Sequence, residues 1–188
     1  DAVYEAFASR RIAQAERYSA EHRARIVALC HERGIALASH DDATEAHVEE
    51  AKRDGIAIAE FPTTLPAAAA SQAAGMKVLM GAPNLVRGGS HSGNVSAQAL
   101  AEAGNLDILS SDYVPFSLVI AAFDLPRRVP TISLPEAISF VSRAPAEAVG
   151  LDDRGAIRPG LRADLLRVRA GEGVPLVRAV WREGQRVG

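Results

Sequence analysis

Short apolar runs recur along the chain, separated by longer stretches in which polar and apolar residues are mixed. Four such runs lie at residues 35–39, 56–59, 77–80 and 106–109. Runs of this length predict buried strands, and the mixed stretches between them predict helices. A glycine just before each run can end the preceding helix in the left-handed conformation. The pattern therefore predicts an α/β fold, in which parallel strands all leave toward the same edge of a sheet.

The mixed stretches carry start signals for helices. Helices are predicted at 1–33, 44–54, 65–74, 95–102 and 116–125. The first is predicted to be interrupted near Ser19, which can cap a second helix, and Asn94 is the predicted N-cap of the fourth. A further helix begins after Ser133, because Glu136 three residues later completes a capping box.

The pattern changes after about residue 150. Segments 163–168 and 176–182 look like antiparallel strands joined through Gly171, Glu172 and Gly173, and 185–187 can add a third strand. We therefore predict two domains. Residues 1–150 form the βα domain, and residues 151–188 form a separate small β element.

Composition excludes several classes of partner. The formal net charge is -2 and the arginines are dispersed, so there is no basic stripe for nucleic acid. The longest apolar runs have about six residues, which predicts no membrane span. A single cysteine excludes an internal disulfide and suits a reducing compartment. The sequence thus predicts a cytoplasmic protein that binds neither nucleic acid nor membrane.

Polar side chains follow each predicted strand, where parallel α/β proteins place their chemistry. His40 follows the first strand, Glu60 the second and Asp112 the fourth. A neutral imidazole can bind Zn, Mn or Fe, and a carboxylate beside such an ion can take a proton from water. The alternatives are a hydrogen-bonded loop histidine at 40, an N-cap at 112 and a buried carboxylate at 60 that needs a partner.

The two aspartates after His40 also allow alternatives. Asp41 or Asp42 could orient the imidazole, or one of them could cap the next helix, which we expect for one of the two.

The glycine-rich stretch 81–94 follows the third strand and has the composition of an anion-binding loop. Its glycines let backbone N–H groups approach a ligand, and Arg87 offers a planar charge suited to phosphate oxygens. Asn84, Ser90 and His91 add further hydrogen-bonding groups. We expect these four side chains to contact phosphate. The alternative is a long flexible loop without a ligand.

Several of these segments together resemble the amidohydrolase superfamily. The resemblance is carried by IALASHDDAT, IAEFPTT, GAPNLVRGGSHSGN and LDILSSDY, which occur in order, and by GAIRPGLRADL near the C-terminus. It implies the C-terminal half of a (β/α)8 TIM-type barrel, followed by part of a small β-sandwich. It also implies a divalent metal ion, with His40 after the fifth barrel strand and Asp112 after the eighth as ligands. Asp112 is then also the catalytic base. Glu60 stands where the superfamily usually has a second histidine, and would be a replacement ligand.

The four phrases closely resemble the branch of the superfamily that serves phosphonate utilisation. This implies hydrolysis of a ribose 5-triphosphate between the α and β phosphorus atoms, giving the 5-phosphate and pyrophosphate. Two alternatives stay open. One is another amidohydrolase chemistry, as in a deaminase or cyclic amidase. The other is an inactive half barrel that associates through two exposed edge strands, so that a homo-oligomer is expected.

Overall fold

The computed structural model describes residues 2–90, 92–171 and 173–188, and of Ala2 the backbone alone. His91, a predicted phosphate ligand, and Glu172, in a predicted turn, lie outside the described residues. The described chain forms two compact units, residues 1–37 and residues 38–188. The predicted division near residue 150 stays a prediction.

The first unit contains one long helix, α1 (Ala2–Glu32). The predicted interruption near Ser19 is wrong, since the helix continues through this residue. Residues 2–32 contain neither glycine nor proline, so nothing in the sequence breaks the helical hydrogen bonds. The helix ends as predicted at Gly34, which has a φ of 62°.

The second unit contains a four-stranded parallel sheet in sequence order, with β1 (Ala38–His40), β2 (Ile58–Glu60), β3 (Lys77–Gly81) and β4 (Ile108–Ser110). All three strand pairs are parallel. The predicted parallel sheet is therefore confirmed, although three strands begin two or three residues later than predicted. Each of those three strands ends on a polar residue, and these polar ends form the carboxyl edge of the sheet.

Helices connect and follow these strands: α2 (Glu45–Arg53), α3 (Leu65–Ala73), α4 (Ala82–Arg87), α5 (Ala97–Glu102), α6 (Ser117–Arg128), α7 (Leu134–Ser139) and α8 (Arg143–Ala148). The hydroxyl of Thr44 accepts from the His47 N–H and caps α2. Neither Asp41 nor Asp42 is that cap, so the expected capping role for one of them is wrong. The capping box of Ser133 and Glu136 at α7 is confirmed.

Helix α4 lies inside the stretch that was predicted to be loop. Its first turn tolerates Pro83, because the N–H that proline lacks has no partner there anyway. Gly88, with a φ of 89°, ends the helix. The next helix is capped by Ser96 rather than Asn94, since the Ser96 hydroxyl accepts from the Ala99 N–H. Burial of Leu85 explains why this polar, glycine-rich stretch forms a helix.

The core lies between the sheet and its helices. Ala59, Val78, Met80 and Leu109 alternate along their strands toward the helices and are almost fully buried. The largest fully buried side chains include Leu85, Leu100 and Leu125. This packing fixes the register of the strands, and with it the residues that meet at the carboxyl edge.

The outer edge of β4 is partly covered, in contrast to the expectation of two exposed edges. The Leu109 N–H donates to the Phe140 carbonyl at 2.9 Å, so the chain after α7 takes up this backbone donor. None of the helices in the described part of the chain is both long and apolar enough to cross a bilayer.

The C-terminal residues form the predicted antiparallel sheet: β5 (Leu165–Arg169), β6 (Leu176–Arg182) and β7 (Gln185–Arg186). The turn between β6 and β7 is held by charged groups. Arg162 Nη2 lies 2.8 Å from Glu183 Oε1, and the Glu183 N–H donates to Asp164 Oδ1 at 2.8 Å. These contacts are local to the small sheet.

Candidate functional site

The predicted ligands His40 and Glu60 meet at the carboxyl edge of the sheet. They are the last residues of β1 and β2 and are direct partners in the parallel register. Partners in a parallel pair point to the same face of the sheet, and here His40 Nδ1 lies 2.9 Å from Glu60 Oε2. Glu60 therefore has a polar partner, as a half-buried carboxylate requires.

Negative charge accumulates around the His40 ring. The hydrogen bond that the His40 ring donates to the Glu60 carboxylate is the main cause that raises the pKa of His40, and burial opposes it. The charges of Asp41, Glu60 and Asp112 raise the same pKa further. Asp41 lies close, with its Oδ2 3.6 Å from His40 Nε2. The site thus favours a cation at this position.

The backbone turns sharply where the chain leaves this edge. Asp41, Phe61 and Asp112 have φ values of 59°, 54° and 48°. Left-handed conformations cost non-glycine residues of order 1–3 kcal/mol each and are concentrated at functional sites. The backbone hydrogen bonds between the parallel strands continue up to these bends. The Asp41 N–H donates to the Glu60 carbonyl, and the Phe61 N–H donates to the Leu79 carbonyl. The sheet therefore holds these residues up to the point at which the chain bends.

Arg87 lies at the end of α4 and is held by two hydrogen bonds. Its Nη1 donates to the Tyr113 hydroxyl at 2.9 Å, and its Nη2 donates to the Gly89 carbonyl at 2.9 Å. Tyr113 follows Asp112 directly in the chain. The predicted arginine is thereby tied to the segment that carries the predicted catalytic carboxylate. Sequence reasoning assigned no role to Tyr113.

The other two described loop candidates make contacts within the loop. Asn84 Oδ1 accepts from the Ala97 N–H at 3.0 Å, which ties α4 to the start of α5. Ser90 Oγ accepts from the Ser92 N–H at 3.1 Å. These two contacts join the start of α5 to α4 and Ser92 to Ser90.

A cavity of about 210 Å³ joins these groups. Its polar lining includes Asp41, Asp112, Arg87, Asn84 and Ser90. His40 and Glu60 are not part of the lining and lie beside it. The cavity therefore presents an arginine and a carboxylate to the same small space, as the sequence predicted, while the imidazole lies at its margin.

The donor types at this edge suit a divalent cation, because imidazole nitrogen and carboxylate oxygen are ligands of Zn, Mn and Fe. Within the described residues, however, no three His, Cys, Asp or Glu side chains converge as a complete ligand set. His40 Nδ1 is also engaged with Glu60. The described residues fit part of a metal site.

Comparison with known proteins identifies the family. An amidohydrolase family model matches residues 2–187. Alpha-D-ribose 1-methylphosphonate 5-triphosphate diphosphatase of Escherichia coli K12 is 52% identical over 191 residues, which cover 100% of this chain and 50% of the relative. Imidazolonepropionase of Streptomyces griseus is 37% identical over 108 residues, which cover 48% of this chain and 26% of the relative. The chain therefore spans about half the length, or less, of these relatives.

Solved structures agree with the fold. The crystal structure of an uncharacterised protein matches with a TM-score of 0.62 at 18% identity. The match covers 86% of this chain and 47% of the chain in that structure. The crystal structure of A. niger ochratoxinase matches with a TM-score of 0.60 at 16% identity. This match covers 86% of this chain and 44% of the ochratoxinase chain. These values support the fold alone. Because the family model matches nearly every residue, the chain belongs to the amidohydrolase family.

Proposed function

We propose that residues 1–150 supply the C-terminal half of a (β/α)8 barrel and residues 151–188 part of its small β-sandwich. The strands of the parallel sheet follow one another in sequence order, as they do in such a barrel. The relative that matches this whole chain is about twice as long, which leaves room for a first half. The carboxyl edge of the sheet then belongs to the face on which barrel enzymes place their active sites.

We propose further that this protein is a metal-dependent hydrolase that converts ribose 1-methylphosphonate 5-triphosphate to the 5-phosphate and pyrophosphate. The observation that carries the proposal is the cavity lined by both Arg87 and Asp112. A substrate with several phosphate groups needs a cation of this kind, and a water molecule that attacks phosphorus needs a base. The identity with the E. coli diphosphatase supports the choice of substrate.

Each residue has a stated task in this reaction. The Arg87 guanidinium holds phosphate oxygens, with Ser90 and His91 as further phosphate contacts. Asn84 keeps α4 and α5 together through its Oδ1, and its side-chain N–H groups are a further phosphate contact. Asp112 accepts a proton from the attacking water, whose oxygen adds to phosphorus. The bond that breaks lies between the oxygen that bridges the α- and β-phosphorus atoms and one of these two atoms.

His40, Asp112 and Glu60 are the residues of this chain that would help to hold the divalent ion. Such an ion, when bound, polarises phosphoryl oxygens and makes water more acidic. Glu60 also orients the imidazole through Nδ1, which leaves Nε2 as the nitrogen for a ligand.

The test measures release of pyrophosphate from the triphosphate in the presence of added Mn²⁺ or Zn²⁺. Phosphorus NMR identifies the products. Two proteins are assayed: the chain by itself, and a fusion in which the chain follows the first half of the E. coli relative. Whichever of them turns over the substrate is used for the variants below. We expect pyrophosphate and the 5-phosphate in equal amounts from the fusion. Absence of both products, or release of orthophosphate alone, contradicts the proposal.

One alternative has its own support, since imidazolonepropionases match about half of this chain. The same proteins are therefore assayed with cyclic amides and with purines, the substrates of other amidohydrolase chemistries. Turnover of these compounds without turnover of triphosphate favours that alternative. A homo-oligomer formed through the edge of β1 is a further proposal, and sedimentation of a monomer contradicts it.

A further inference from the structure

Gly81 stands at the end of β3, where its backbone does not need a glycine. Its φ and ψ are -71° and 127°, values that any L-residue adopts readily. This sets it apart from Gly75, Gly88 and Gly104, whose φ values are 86°, 89° and 74°. Those glycines supply a left-handed turn. The reason for a glycine at 81 lies elsewhere.

The space beside Gly81 is occupied by Asp112. A Cβ added at 81 lies 3.0 Å from Asp112 Oδ2, 3.4 Å from Asp112 Cβ and 3.6 Å from Asp112 Cγ. These three nearest atoms all belong to one side chain. The shortest distance is well inside the separation of about 3.5–4.0 Å at which non-bonded atoms attract. A methyl group at 81 therefore pushes first against the carboxylate.

The backbone on both sides of this contact has few ways to yield. Asp112 already has a left-handed φ of 48°, and Gly81 is paired in register with Ser110, two residues before it. Both residues line the cavity that also contains Arg87. A displacement of a few tenths of an ångström is thus taken up by the carboxylate rather than by the sheet.

We propose that Gly81 is a positioning residue for Asp112: its missing side chain leaves the space that the carboxylate occupies in the cavity. The proposal rests on the proposed function for its catalytic consequence. The steric relation between the two residues is independent of that function and is testable without turnover.

The first test is Gly81→Ala in the active protein. We expect kcat to fall about tenfold, because misplacement of a reacting group by a fraction of an ångström is costly. KM for the triphosphate should stay within about twofold, since Arg87 and its partners are untouched. The matched control is Gly173→Ala, whose new Cβ has no described atom within 4 Å apart from its chain neighbours, and which has no left-handed φ. An unchanged kcat in Gly81→Ala overturns the proposal.

The second test asks whether Gly81 acts through Asp112. Combined with Asp112→Asn, Gly81→Ala should cost less than about twofold more in kcat, because the group that it displaces has already lost its chemistry. A further tenfold loss in the double variant means that Gly81 acts by another route and contradicts the proposal.

The third test uses thermal unfolding and needs no activity. Asp112→Gly removes the side chain that the new methyl group meets. The change in melting temperature caused by Gly81→Ala is measured in the wild-type and in the Asp112→Gly background. We expect this change to be more favourable by about 2 °C in the Asp112→Gly background. Equal changes in the two backgrounds overturn the steric relation. If the thermal difference is found in a protein without turnover, the proposed function fails while the steric relation holds.

Discussion

The two edges of the parallel sheet use aspartate in opposite ways. At the amino edge, Asp107 precedes β4 and accepts three hydrogen bonds. Its donors are the Val78 N–H at 2.9 Å, Gln72 Nε2 at 2.9 Å and Lys77 Nζ at 3.1 Å. This carboxylate therefore joins neighbouring strands and is neutralised by its own surroundings.

At the carboxyl edge, carboxylates gather instead of being neutralised one by one. Asp41, Glu60 and Asp112 all raise the pKa of the single imidazole at His40. Asp41 and Asp112 also have left-handed backbones, in contrast to Asp107. The difference indicates that one edge stabilises the sheet, whereas the other concentrates backbone strain and negative charge, as the proposed function requires of a site for a cation and a substrate.

The largest expected difference between the edges is in catalysis. Asp112→Asn keeps the shape of the side chain but removes its ability to take a proton. We expect kcat for pyrophosphate release to fall by about 10³-fold, within the range of lost general bases. Retention of near-normal turnover would remove Asp112 from the mechanism.

Arg87 tests whether the carboxyl edge recognises charge. Arg87→Ala should raise KM for the triphosphate by about 10- to 100-fold, the range for hydrogen bonds to charged groups. Tyr113→Phe should raise it by only about threefold, because it removes one hydrogen bond that positions the arginine and leaves the guanidinium itself in place. If Arg87→Ala slows turnover of a small neutral substrate equally, the phosphate-binding role is wrong.

The amino edge should respond in stability rather than in rate. Asp107→Ala leaves the buried Val78 N–H without its acceptor, at a cost of about 1–3 kcal/mol in the free energy of unfolding. The melting temperature should fall by roughly 3–9 °C while kcat stays unchanged. Asp107→Asn retains an oxygen acceptor and should lose less. A loss of kcat in a well-folded Asp107→Ala protein would erase the contrast between the edges.

The smallest expected effect concerns the imidazole at the carboxyl edge. The pKa of His40 is raised above its ordinary value of 6.5, chiefly by the hydrogen bond that its ring donates to the Glu60 carboxylate. The charged pair therefore stabilises the fold fully below pH 6.5, and this contribution is lost as the pH rises through the raised pKa. Glu60→Gln should move the pKa back toward 6.5 and flatten this pH dependence.

The measurement is an NMR titration of the His40 ring in metal-free protein, with thermal unfolding at several pH values. Glu49→Gln is a control, because Glu49 is an exposed acid of α2 that pairs with Lys52. A pKa of His40 that does not change in Glu60→Gln would mean that the pair seen at 2.9 Å contributes nothing in solution.

Local signals in the sequence determined much of this fold. Apolar runs of strand length, glycines before them and capping residues after them predicted the number and direction of the parallel strands. Because strands that run the same way end at the same edge, chain direction alone predicted that His40, Glu60 and Asp112 would gather there. These features depend on neighbours a few residues apart, which a single sequence records.

Tertiary structure decided what depends on register and packing. Helix α4 forms because Leu85 is buried by segments distant in sequence, so its polar, glycine-rich surroundings predicted a loop. The pair of His40 with Glu60 and the space that Gly81 leaves for Asp112 arise from which residues stand opposite one another in neighbouring strands. That alignment is set by the sum of many contacts across the core, and no local pattern in the sequence specifies it.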